Sequence, residues 1–240
     1  MKRVLVFQHI PIEHPGIFRE FMKADGIAWD AIELDEEQRI PALDPYDALI
    51  VMGGPMDVFE EDQYPWLIDE KRAIRTWVTE LKRPYLGLCL GHQLLADALG
   101  GTVERMAVPE VGMLRVETTA FAKSDALFNG LGPTLDCLQW HGCEVTRPPK
   151  DAVILAQSPA CAVQAFRVGT NAYGLQYHVE LTPSTVADWG AVPIYTESLE
   201  KSCGRGALKK LEADAKALMP ALARNARRLY DNFKALSASG

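Results

Sequence analysis

Pro84-Tyr85-Leu86-Gly87-Leu88-Cys89-Leu90-Gly91 runs an apolar strand straight into a helical stretch, with a glycine-bracketed cysteine at the joint. Pro84–Leu88 reads as a short buried strand, and Gly91–Leu99 as a helix closed by Gly100-Gly101. Upstream, Val4–Phe7 and Asp47–Met52 are further continuous apolar strands, and Ala28–Leu34 alternates as an outer strand would. Helical spacing covers Gly16–Lys23 and Trp66–Leu81. This βαββαβα order predicts an α/β fold, a mostly parallel central sheet with helices on both faces.

Downstream the pattern changes. Gly112–Thr118, Leu135–Trp140, Ala152–Ala156, Ala162–Arg167 and Ala172–Tyr177 read as strands, with a helix expected over Asp125–Leu131 and a short one over 183–189. From about Thr196, apolar residues recur every three or four positions through Phe233, predicting an amphipathic helix bent at Pro220.

At 240 residues, with 48% hydrophobic and 24% charged residues, the chain is neither disordered nor fibrous. Its apolar runs are too short to span a bilayer, and Val4–Phe7 is too short for a signal-peptide core. No membrane association and a cytoplasmic location are therefore expected. A net charge of −7 argues against a nucleic-acid partner, although Arg205–Gly240 carries +5. That basic tail reads as a solvated helix face, with a partner-binding surface as the alternative. The five cysteines are scattered and form no C-x-x-C, so neither a disulfide scaffold nor a metal site is expected. No phosphate-binding glycine loop is present, and no cofactor is expected.

A nucleophile in G-x-Nu-x-G between strand and helix is the elbow geometry of acyl transfer. The helix N-terminus after Cys89 favours thiolate and offers N–H groups to an oxyanion. Among the five histidines, His178 follows the apolar run Ala172–Tyr177, with Glu180 two residues on. In extended chain, such residues point the same way, so the carboxylate can orient the imidazole as a base. His92 reads as packing, and His9 and His14 as loop residues. Gly53-Gly54-Pro55, directly after a strand, could turn N–H groups toward the same pocket.

Four segments together resemble the triad (class I) glutamine amidotransferases, the glutaminase half of enzymes such as GMP synthase. They are Met52-Gly53-Gly54-Pro55, Gly87–Gln93, Trp140-His141-Gly142 and Gly174–Glu180, with 89 positions separating Cys89 from His178. The resemblance implies a flavodoxin-like sheet over 1–190 and a C-terminal helical extension over 191–240 packed on the same domain. It implies that Cys89 attacks the side-chain amide carbon of glutamine, that His178 protonates the departing ammonia, and that Glu180 orients His178. The N–H groups of Gly54 and Leu90 would hold the oxyanion. Gly53, Gln93, Trp140, His141 and Gly142 would contact the substrate. Val179 stands where the family usually has proline, and Cys143 where related stand-alone members often have an acid. No synthetase module is recognised in the sequence, so the chain reads either as a glutaminase subunit feeding ammonia to a partner synthetase or as a stand-alone member. A γ-glutamyl peptidase on the same triad, and a non-catalytic binding protein, are the alternatives.

Overall fold

The computed structural model describes residues 1–237, so the last three positions of the extension expected over 191–240 lie outside the described residues. Strands β1 (Arg3–Gln8), β2 (Ala28–Glu33), β3 (Ala48–Val51) and β4 (Tyr85–Leu88) alternate with helices α1 (Phe18–Ala24), α2 (Trp66–Thr76) and α3 (Leu90–Ala98). Then come β5 (Thr102–Thr118), β6 (Thr134–Arg147), β7 (Val153–Gln157), β8 (Ala165–Val168) and β9 (Ala172–Leu175). Three helices close the described chain: α4 (Thr185–Gly190), α5 (Pro193–Cys203) and α6 (Ala207–Leu236). The nine strands make one sheet in the order β2-β1-β3-β4-β9-β8-β7-β5-β6. Pairing is parallel from β2 to β9 and antiparallel from β9 to β6.

The parallel strands are continuous apolar runs because both sheet faces are covered, and alternate side chains go to opposite faces. Val4, Val6, Ile50 and Leu86 pack with Phe18 and Met22 of α1 and with Leu229 and Phe233 of α6. Leu5, Phe7, Leu49 and Val51 pack instead with Leu67 and Ile74 of α2 and with Leu94 and Leu95 of α3. Each such fully buried side chain contributes roughly 1.5–3 kcal/mol. A third cluster joins Val111, Leu138 and Trp140 of the β5–β6 hairpin to Trp189, Tyr195, Leu199 and Leu211 of α4–α6. Part of the basic charge of α6 is paired within the chain, Arg227 with Asp231 and Lys234 with Asp25. No helix among the described residues is long and apolar enough to cross a membrane.

Several expectations need correction. Asp125–Leu131 is not a helix. A 3₁₀ turn covers Ala120–Ser124, and Asp125 ties its carboxylate to the Leu127 N–H and to Arg167, a local bond that competes with helix. The C-terminal periodicity belongs to two helices, α5 and α6, interrupted at Gly204-Arg205-Gly206, and Pro220 lies inside α6. The hairpin strands are longer than the apolar runs showed, because their added portions mix buried Val103, Cys143 and Val145 with exposed Glu104, Arg105 and Arg147 and so break the apolar run. Finally, β9 ends at Leu175, so His178 is not on the strand itself.

Candidate active site

The turn from β4 to α3 holds Cys89 at φ 51° and ψ −104°, a left-sided backbone that a side chain rarely adopts. Such strain costs about 1–3 kcal/mol and persists only when the surroundings enforce it. Here the Cys89 N–H donates to Leu175 O at 2.8 Å, and the Gly91 N–H to Met52 O at 3.1 Å. The flanking glycines are required by close approach: a Cβ on Gly87 would stand 2.3 Å from Gly91 O, and one on Gly91 2.2 Å from Val51 O. The thiol is thereby raised above the C-terminal edge of the parallel strands, beside the first turn of α3.

His178 reaches the thiol from the segment after β9. Its N–H donates to Leu138 O of β6 at 2.9 Å, a single bridge doing what the expected strand would have done. The extended-strand argument for His178 and Glu180 is thus replaced, yet the two meet, with Nδ1 2.7 Å from Glu180 Oε1. The other carboxylate oxygen accepts from the Val179 N–H at 2.9 Å, which fixes Glu180 in turn. Trp189 packs edge-on against the His178 ring, centroids 4.5 Å apart. Burial works to lower the His178 pKa, but the Glu180 carboxylate and the Cys89 sulfur overcome it and hold it well above the usual value. For Cys89, burial holds the pKa above its usual value, and the neighbouring His178 offsets only part of that rise. A charged imidazole beside a buried sulfur favours thiolate.

Gly54, Cys89, Leu90, Gln93, Trp140, His141 and Gly142 line one cleft of about 180 Å³. Leu90 opens α3, so its N–H has no intrahelical acceptor. Gly53 lies behind this wall, where its carbonyl accepts from His9 Nδ1 at 2.8 Å. His9 does not line the cleft. Its Nε2 meets the buried Glu70 carboxylate at 3.0 Å. Burial opposes its charge, but Glu70 raises its pKa, so the ring can donate from both nitrogens and pin the Gly53–Gly54 turn. His92 is buried against Phe166, as packing. A larger cleft of about 660 Å³ lies between α2 and the segment after β2, and contains none of the expected site residues.

Behind the sulfur is a polar scaffold. Gln176 Nε2 lies 3.7 Å from Cys89 Sγ, and its Oε1 accepts from Gln93 Nε2 at 3.1 Å. Gln93 Nε2 also donates to Cys143 O, so its nitrogen is committed to the protein and its oxygen is the group left to face a ligand. His141 is held between Cys143 O (2.9 Å) and Glu110 Oε2 (3.2 Å). The cleft's lining carboxylate is Asp57, which accepts from the Cys143 thiol at 3.0 Å and pairs with Arg105. Sequence reasoning missed Asp57, Glu110, Tyr195 and the buried Glu13. Gln176 stood within a quoted motif but was given no role. The sequence pattern offered no signal for the others.

A cysteine held at a strand–helix elbow beside a carboxylate-bonded histidine, on a sheet of this order, is the arrangement of a cysteine hydrolase of the amidotransferase kind. The family model for class-I glutamine amidotransferases matches residues 17–188. The chain belongs to that family, and as such it hydrolyses the side-chain amide of glutamine. It is 33% identical over 153 residues to the glutamine-hydrolysing GMP synthase subunit of Sulfolobus acidocaldarius, spanning 63% of this chain and 77% of that protein. A glutamine amidotransferase-like protein of Salmonella typhimurium is 30% identical, over 77% of this chain and 78% of its own. Among solved structures, a glutamine amidotransferase from Thermotoga maritima superposes with a TM-score of 0.86 at 29% identity, covering 97% of each chain. One from Methylobacillus flagellatus gives 0.83 at 28%, covering 97% of this chain and 94% of its own.

Proposed function

We propose that Cys89, His178 and Glu180 carry out this hydrolysis and that the ammonia passes to a separate synthetase. The Cys89 sulfur attacks the γ-amide carbon, and the resulting oxyanion takes hydrogen bonds from the Gly54 and Leu90 N–H groups. His178 gives its proton to the departing nitrogen as the carbon–nitrogen bond breaks, leaving a γ-glutamyl thioester and ammonia. Water then attacks the thioester carbon, His178 takes the proton, and the sulfur leaves. Glu180 stabilises the imidazolium throughout. Gln93, Trp140, His141 and Gly142 shape the glutamine cleft, and Asp57 supplies the negative charge for the α-amino group that Cys143 cannot.

The observation that carries this reading is the 2.7 Å His178–Glu180 pair beside a strained elbow cysteine. The small cleft favours glutamine over a γ-glutamyl peptide, since sites for larger organic ligands run to roughly 300–1,000 Å³. A triad with all three members in place counts against a purely binding role. That relatives carry the name of a glutamine-hydrolysing GMP synthase subunit supports a synthetase partner, and five free cysteines support a cytoplasmic setting.

Intact-mass labelling with a diazoketone analogue of glutamine tests the triad. Wild type is expected to gain a single adduct that excess glutamine suppresses. Cys89→Ala is expected to gain none and to lose glutamine turnover while keeping its melting temperature. Full turnover by Cys89→Ala would sink the assignment.

A further inference from the structure

The loop after β1 places a second carboxylate against the triad. Glu13 is 3% exposed, and its Oε2 has no hydrogen-bond partner. Burying a carboxylate oxygen without a partner is unfavourable, so its retention asks for a reason. Its position supplies one. A Cβ on Gly53 would stand 1.9 Å from Glu13 Oε2 and 3.1 Å from His178 Cε1, so the carboxylate and the imidazole edge crowd the same point, and only glycine leaves room for both.

The loop is fastened to hold that pose. The Glu13 N–H donates to Ile10 O at 3.1 Å, the Ile17 N–H to Glu180 O at 2.8 Å, and Trp189 Nε1 to Ile12 O at 3.3 Å. The other carboxylate oxygen, Oε1, accepts from the Tyr195 hydroxyl of α5. Tyr195 also lines the substrate cleft and packs on Trp140 and Trp189. Around His178 the groups are therefore Glu180 at Nδ1, Cys89 on the sulfur side, Trp189 against the ring, and Glu13 toward Cε1.

We infer that Glu13 is a positioning residue for His178, held in place by Tyr195, so that α5 is coupled to the catalytic triad. This rests on the triad reading above. Burial raises the Glu13 pKa, and His178 and the Tyr195 hydroxyl oppose that rise. Glu180 adds to it and His9 reduces it, the ionisable neighbours from each packed segment. An acidic oxygen toward the polarised Cε1–H edge favours the imidazolium and limits rotation of the ring.

The test uses the full chain as wild type, Glu13→Gln, Tyr195→Phe and the double variant. Glutamine turnover is measured alongside the pH dependence of Cys89 alkylation by the diazoketone. Glu13→Gln and Tyr195→Phe are each expected to lower kcat about tenfold, the larger share of the effect falling on kcat rather than KM. Glu13→Gln moves the alkaline limb of the alkylation profile to lower pH. The double variant is no worse than Glu13→Gln alone, because both act through one contact. An unmoved pH limb, an unchanged kcat, or fully additive losses each overturn the inference whatever happens to melting temperature. If Glu13→Gln does not fold, Tyr195→Phe decides alone: wild-type kcat overturns it. Loss of turnover in Cys89→Ala with wild-type behaviour of the Glu13 variants would remove this inference and leave the triad standing.

Discussion

Two buried histidine–carboxylate pairs, one beside Cys89 and one with its histidine in the cleft lining, are built differently. His178 and Glu180 are two residues apart and meet at 2.7 Å beside Cys89. His141 and Glu110 come from the two strands of the β5–β6 hairpin, registered opposite one another, and meet at 3.2 Å. In the first pair the carboxylate serves the histidine alone, apart from one backbone N–H, and the imidazole is left free toward sulfur. In the second the carboxylate is shared with Ser158 and Gln164, and the histidine's other nitrogen is taken by Cys143 O. The same two residue types thus leave a ring nitrogen facing sulfur in one place and set both ring nitrogens against protein acceptors in the other. The difference is whether a ring nitrogen is left free.

The largest expected effect separates the pairs directly. Glu180→Gln should cut kcat about 10³-fold while leaving measurable turnover, because orientation and charge are lost and the nucleophile stays. Glu110→Gln should cost less than about tenfold in kcat but lower stability by about 1–3 kcal/mol, the size expected for hydrogen bonds to a buried charge. Parallel turnover assays and chemical denaturation of the two variants check this. Equal losses of kcat would end the distinction.

A finer test compares His178 with another buried imidazole, His92. Burial without a carboxylate partner holds His92 down to about 3. Below its ordinary value near 6.5 the unfolded chain binds a proton that the folded chain refuses. Stability should therefore fall as pH drops toward 3, by up to about 1.4 kcal/mol per pH unit from this group. His178 has the opposite sign. Its raised pKa contributes stability that is complete below the unfolded value and is lost as pH rises through the folded one. Denaturation midpoints across pH should show His92→Gln flattening the acid side only. A flattened alkaline side in that variant would contradict the reading.

The parallel half, the elbow and the Cys89–His178–Glu180 set were legible in the sequence because each is written locally. Buried parallel strands are continuous apolar runs, a tight elbow demands small neighbours, and a two-residue spacing lets a carboxylate meet its histidine. His178 shows the limit of that legibility, since its position depends on a bridge to Leu138 rather than on the strand end the spacing implied. The expected Asp125–Leu131 helix failed for a related reason, a side chain bonding its own backbone and a distant arginine. Glu13, Asp57, Glu110 and Tyr195 carry no local signature, because an isolated acid or tyrosine in a loop, strand or helix reads as surface. Tyr195 reaches Glu13 across 182 positions, and Cys143 reaches Asp57 across 86. The apolar strands and the cysteine elbow follow from the order of residues alone, because strand and turn geometry is set between near neighbours. Which carboxylates surround that elbow was settled in three dimensions, because a buried charge is stabilised by partners that the chain brings together only when it folds.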